Sequence, residues 1–257
     1  MTLASDTWYL FVRYLKKLIR NPILLFFSLF QPIIFLVLFT QLFSELSNFP
    51  GFLPDGVSYT QFATAGILLQ NAFGSALQSG TSIVLDIDSG FLQKMLVTPM
   101  RRPAILLGRL TSDAFRVVVQ SAIILGLSYA LGGYVTTGIV GIILIFFTIA
   151  FFGLAWSGIS LALGMKTRSS ETVFAIGGFI TFPLLFLSTA LVPTKSLPTW
   201  ISTASMFNPI SYAVNAIRAF MITGFDWSTI LQAWGVIALI AVVTLGATLY
   251  QFRKVVS

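Results

Sequence analysis

Apolar runs of about twenty residues recur along this chain, the length a helix needs to cross a hydrocarbon core about 30 Å thick. They lie at Ile23 to Phe43, Tyr59 to Thr81, Ala104 to Leu131, Ile139 to Leu163, Thr172 to Leu191 and Ile230 to Tyr250. This pattern predicts an all-α membrane protein with six spans, each able to cross with some tilt. Before the first span, Trp8, Phe11, Leu15 and Ile19 share one helical face, and Arg13, Lys16, Lys17 and Arg20 share another. That spacing suits a helix over residues 5–21 lying in the membrane interface; a basic anchor that only sets orientation would look the same.

The longest polar interruption before the fifth run is Leu85 to Arg109. It opens with Asp86, Asp88 and Gly90, and continues into a short amphipathic segment whose Phe91, Leu92, Met95 and Leu96 fall on one face. Thr98 and Pro99 end that segment, because a residue before proline is driven out of the helical region. Pro103 then starts the next helix, behind Arg101 and Arg102. A second irregular stretch separates the last two spans. Pro198 and Pro209 divide residues 193–224 into two short helices, too short to cross and too apolar for a free loop, which predicts a re-entrant pair. A seventh, broken span is the alternative.

Composition narrows the class. The chain has 257 residues, of which 56% are hydrophobic and 9% charged, against about 25% charged in soluble domains. Of its fifteen Lys and Arg residues, all but Lys195 and Arg218 fall on one side of the six-span arrangement. The positive-inside rule then places both termini and the Leu85 to Arg109 hairpin in the cytoplasm. The net charge of +7 therefore reads as topology, with no nucleic-acid partner. No cleavable signal peptide is evident, since the first run has full spanning length.

Cysteine and histidine are absent, which removes thiolate and imidazole metal sites and nucleophiles built on them. No catalytic constellation emerges, and no phosphate-binding loop of the form GxxxxGK[ST] is present. The chain is therefore no ATPase, and any energy comes from a partner or a gradient. In the third span Arg109, Asp113, Arg116 and Gln120 form one polar stripe, with Asp113 the nearest partner for Arg116. An ion pair tying helices together and a gating role are both open to it. Glycines of the fourth and fifth spans, such as Gly158, Gly164 and Gly177, suit close helix packing.

The hairpin pattern DxDxGFLxxMLVTPxRRxAILLGR resembles the cytoplasmic signature of permease subunits of type-2 ABC exporters, in the daunorubicin-resistance and lipid-export branch. The stretch FPLLFLSTALVPTKSLPTWISTASMFNPISYAVNAIRAF is similar to that family's fifth span and extracellular re-entrant helices, with Asn208, Pro209 and Arg218 in the expected order. Ile87 departs from a commonly basic position, and Thr189 with Ala190 replaces Ser-Gly. The resemblance implies a single transmembrane domain over 1–257 in the inner (plasma) membrane. It would pair with a second permease, identical or homologous, and with two ABC ATPase subunits that bind ATP and Mg. It also implies that residues 5–21 form a connecting helix and residues 86–98 a coupling helix. Asp86, Asp88, Gly90, Phe91, Leu92, Met95, Leu96, Thr98 and Pro99 would then dock on the ATPase. The cargo implied is amphipathic or lipid-like: a hydrophobic drug, a glycolipid or a lipid-linked polymer. A six-span secondary transporter or channel that needs no ATPase is the rival class.

Overall fold

The structure, a computed structural model, describes residues 2–43, 45, 53, 56–193 and 197–256. Lys195, one of the two cations assigned to the outer side, lies outside the described residues. Ten α-helices make up the described fold: α1 Leu3–Ile19, α2 Pro22–Leu42, α3 Tyr59–Asp88, α4 Phe91–Leu96, α5 Arg102–Ala130, α6 Gly138–Thr167, α7 Ser170–Phe186, α8 Thr199–Met206, α9 Pro209–Arg218 and α10 Trp227–Val256. A π-helical turn, Ala219–Thr223, continues α9.

Four of these helices, α2, α5, α6 and α10, are long and apolar enough to cross a membrane. Helix α3 has the length, 30 residues, but carries many glycines, hydroxyls and amides. Those residues are tolerated because α3 is the central helix, packed by α2, α5, α6, α7 and α9 and buried along most of its length. It starts with a capping box, the Ser58 side chain accepting from the Gln61 N–H while the Gln61 side chain accepts from the Ser58 N–H. Its far end lies beyond the predicted Thr81, so Asp86 and Asp88 belong to a helix and not to a loop.

Helix α7 is apolar but has only 17 residues. The predicted span to Leu191 stops at Phe186 instead, because Pro183 removes one rung of the hydrogen-bond ladder. The chain then bends through Ser188, whose hydroxyl donates to Leu185 O at 2.6 Å and accepts the Ala190 N–H at 3.1 Å.

Within lipid, helices associate through close packing and hydrogen bonds rather than hydrophobic burial. Gly164 of α6 lies so near α3 that a Cβ there would stand 2.9 Å from the Ile83 Cγ2. Helix α10 is held to α6 by hydroxyls: Thr244 donates to Ala155 O at 2.6 Å and Thr248 to Gly158 O at 2.7 Å. Phe73, Phe152 and Trp156 fill the centre, with ring centroids 4.7 to 5.7 Å apart.

Helix α1 packs inward through a face that neither its apolar nor its basic stripe marks. Trp8 and Ile19 of the predicted apolar stripe are exposed, whereas Asp6, Leu10 and Tyr14 are buried. The reason is Gly108 of α5, where a Cβ would lie 2.6 Å from the Leu10 Cβ; the missing side chain lets α1 lie across α5. Lys16, Lys17 and Arg20 remain exposed and Arg13 is half-buried.

Replacing Gly164 by Val is expected to cost about 1–3 kcal/mol through overpacking. Gly126→Ala, where nothing lies within 4 Å of an added Cβ, should leave stability unchanged or raise it. Thermal melts followed by tryptophan fluorescence in detergent would compare them, and equal melting points would contradict the close α3–α6 contact.

Candidate functional site

The hairpin between α3 and α5 is built by a glycine and two prolines. Gly90 takes φ 68°, a left-handed conformation that side chains disfavour, and turns the chain from α3 into the six-residue α4. After Thr98 and Pro99, α5 begins with Pro103 in its first turn. Arg101 stands at the N-cap, and its N–H donates to the buried Asp6 carboxylate of α1 at 3.1 Å. An acid at a helix N-terminus is favoured by the dipole, so Asp6 pins the returning strand of the hairpin.

The apolar face of α4 is not free. Leu92 is 1% exposed and Met95 3%, packed in one cluster with Leu10 and Tyr14 of α1, Ile83 and Ile87 of α3, Ile105 of α5 and Met165 of α6. Phe91 and Leu96 are half-buried at its margin. The Phe91 ring lies under the Arg13 guanidinium, 3.2 Å from its centroid. The face that the spacing assigns to a partner is thus covered by the chain's own helices. What the hairpin exposes is Asp88, Gln93, Lys94, Thr98, Pro99 and above all Val97, 86% exposed.

Asp86 also differs from its predicted role. It is 2% exposed and accepts from three side chains: Lys17 at 3.2 Å, Tyr14 at 3.4 Å and Arg109. Arg109, itself 2% exposed, also donates to the Tyr14 hydroxyl at 3.2 Å. Burial pushes the Tyr14 phenol above its ordinary pKa, against the pull of Arg109, so it stays neutral and both accepts and donates. One carboxylate therefore joins α1, α3 and α5 at the root of the hairpin. The spacing of α5 alone does not reveal this, because its partners come from two other helices. The available signal is antiparallel depth: Asp86 lies in the last turn of α3 and Arg109 about two turns into α5, and the two helices are joined by the hairpin.

Of the stripe Arg109, Asp113, Arg116 and Gln120, all but the half-buried Asp113 are buried, and the stripe serves two clusters. Below the Asp86 knot, Arg116 pairs with Asp113 at 3.0 Å. It also donates to the Ser75 hydroxyl at 3.0 Å, Ser75 O at 2.7 Å and Gln78 Oε1 at 2.9 Å. Ser79 donates to Asp113. Gln120 donates to Ser28 of α2 at 2.8 Å. Apart from the Arg116–Asp113 pair, which lies within α5, each of these contacts ties α5 to α3 or α2.

At the other end, Pro198 is the N-cap of α8 and Pro209 opens α9. Asn208 accepts the Ile210 N–H at 3.0 Å and donates to Leu184 O at 2.6 Å, fixing α9 to α7. Arg218 donates to two carbonyls, Ala190 O at 2.8 Å and Phe62 O at 3.4 Å, and lies 3.5 Å above the Phe62 ring centroid. The following π-helical turn offers carbonyls outward: Phe220 O accepts from Thr137 at 2.7 Å and Met221 O from Gln61 at 3.4 Å.

Breaking a buried pair by removing one partner costs about 3–5 kcal/mol, because the other charge is stranded. Asp86→Asn and Arg109→Gln should each lose that much in detergent unfolding, and the double variant should lose much less than their sum. Strict additivity would rule out the knot.

The profile of the ABC-2 type transporter family matches residues 5–222. The chain is 31% identical to the daunorubicin resistance ABC transporter permease protein DrrB1 of Streptomyces coeruleorubidus, over 78% of this chain and 69% of that one. It is 30% identical to the transport permease ycf38 of Porphyra purpurea, over 88% of this chain and 78% of the relative. The doxorubicin resistance ABC transporter permease protein DrrC of Mycobacterium tuberculosis is 27% identical over 60% of this chain and 56% of its own length. With the matched region running from α1 through the hairpin to the π-helical turn, the chain belongs to the ABC-2 type transporter family, as a membrane permease.

Proposed function

We propose that this chain is the permease subunit of an ATP-driven exporter that moves amphipathic or lipid-like molecules out of the cytoplasm or the inner leaflet. ATP and Mg are held by a separate ABC ATPase, present in two copies, and a second permease, identical or homologous, completes the pathway. The chain lies in the inner membrane with both termini cytoplasmic. Six helices cross: α2, α5, α6 and α10, together with the polar central α3 and the shorter α7. Helices α8 and α9 dip back from the outer side. Relatives named for daunorubicin and doxorubicin resistance support a hydrophobic drug as cargo.

The observation that carries this reading is the hairpin itself, a short helix bolted to α1, α3 and α5 at its root and exposed at its tip. A push on that tip reaches α5 through Asp86 and Arg109, and α1 through Tyr14 and Lys17. The docking surface is then the Val97 tip flanked by Asp88, Gln93 and Lys94, with Thr98 and Pro99 shaping the turn. Gly90 sets the angle of α4, and the buried Leu92 and Met95 give it stiffness.

Two substitutions separate these roles. Val97→Asp should leave the melting temperature unchanged and weaken co-purification with the ATPase about tenfold or more, the loss expected of an interface hot spot. Leu92→Asp should instead destabilise the isolated permease, since it buries a charge. Unchanged ATPase binding by Val97→Asp would remove the tip from the interface.

Sidedness and energy source are checked separately. The chain has no cysteine, so single cysteines at Ser89 and Ser228 report directly with a membrane-impermeant maleimide. Ser228 should label from outside intact cells and Ser89 only after lysis; the reverse would invert the topology. In liposomes, an amphipathic drug should stimulate ATP hydrolysis by the assembled complex, whereas transport by the permease alone would support the secondary-transporter reading.

A further inference from the structure

Between α1, α3 and α5, with Phe174 of α7 at one edge, lies a cleft of about 240 Å³. Its polar wall carries Lys17, Arg109, Asp113 and Arg116, with Gln78 and Ser82 beside them. Leu18, Leu85 and Phe174 line it as well, and the last two are more than half exposed. The cleft therefore has charged groups on one side and apolar side chains on the other.

The charges do not balance. Lys17, Arg109 and Arg116 meet two carboxylates, Asp86 and Asp113, leaving one positive charge in excess. Arg109 and Arg116 are almost fully enclosed and spend their charge on those acids. Lys17 is half exposed at its side chain and gives Asp86 one hydrogen bond, although an ammonium has three donors. Arg109 Nε is a buried donor with no hydrogen-bond partner among the described residues. The excess cation, half exposed beside an apolar rim, selects for an anion attached to something hydrophobic. A zwitterionic head would bring its own positive charge to a wall that is already cationic.

We propose that this cleft seats the phosphate head group of an anionic lipid of the inner leaflet, with Lys17 as its principal contact and the acyl chains leaving past Leu85 and Phe174. Helix α1, which supplies Lys17 and Leu18, sets the head-group depth. The placement rests on the topology proposed above. Binding itself is read on the solubilised chain and stands apart from sidedness and from transport. An occupied cleft would lock α1 against α5 on the side where the Asp86 knot already holds them, making the lipid a further part of the hairpin's anchorage.

The test uses the purified permease in detergent with three probes: dioctanoyl phosphatidic acid, dioctanoyl phosphatidylcholine and inorganic phosphate, read by native mass spectrometry and thermal shift. Phosphatidic acid should bind and raise the melting temperature. Phosphatidylcholine should bind at least about tenfold more weakly, and phosphate alone should not bind where phosphatidic acid saturates. Lys17→Gln should weaken phosphatidic acid at least about fivefold. Ser82→Leu, which fills the cleft while leaving every charge in place, should do the same, and Arg20→Gln, outside the cleft lining, should not. Equal binding of the two lipids would overturn the proposal, as would affinity untouched by both Lys17→Gln and Ser82→Leu. Phosphate binding as tightly as the lipid would assign the cleft to a soluble anion and overturn its lipid part.

Discussion

A carboxylate buried beside the hydrocarbon region must be paired or pay several kcal/mol for its charge, and the pairing of Asp86 governs the hairpin half of this permease. Its partners come from α1 and α5, so three helices are fixed together at one point. The hairpin hangs from that point. Asp6 fixes the other side of it by holding the Arg101 N–H, and Arg13 covers Phe91 between them. Helix α1, which the sequence presents as an amphipathic helix of the membrane interface, braces the hairpin.

The same constraint explains why the most polar long helix is the most buried one. The hydroxyls and amides of α3 would be costly against lipid but are satisfied against neighbouring helices. Ser75, Gln78 and Ser79 receive or support the Arg116–Asp113 pair, and Gln61 holds the π-helical turn at the opposite end. Arg218 closes the end away from the hairpin by bonding to carbonyls of α3 and of the segment after α7. Polar contacts at both ends of α3 thus make it the shaft to which the other elements are keyed.

Much of this was legible in the residues. Apolar runs and prolines located the helices, because length and backbone chemistry act locally. The end of α3 was not legible, since Asp86 and Asp88 read as loop until Arg109 supplies the counter-charge from 23 positions away. The end of α7 was missed for the opposite reason: the run to Leu191 stays apolar while Pro183 weakens the helix beneath it. Periodicity correctly put Leu92 and Met95 on one face, yet a face does not announce its partner. Inside this chain, Leu10, Ile83 and Ile105 already cover it. The exposed Val97 at the hairpin tip was overlooked because a single apolar side chain before Thr-Pro carries no pattern.

The central claim is that α1, the hairpin and the start of α5 move as one body when the partner ATPase turns over. Pulsed electron resonance between spin labels at Ile19→Cys and Val97→Cys, both exposed positions, measures this within a single permease of the assembled complex. The account predicts a narrow distance distribution that is the same with and without ATP, while the distance between the Val97 labels of two permeases shifts. A distance between Ile19 and Val97 that changes or broadens on ATP binding would contradict it.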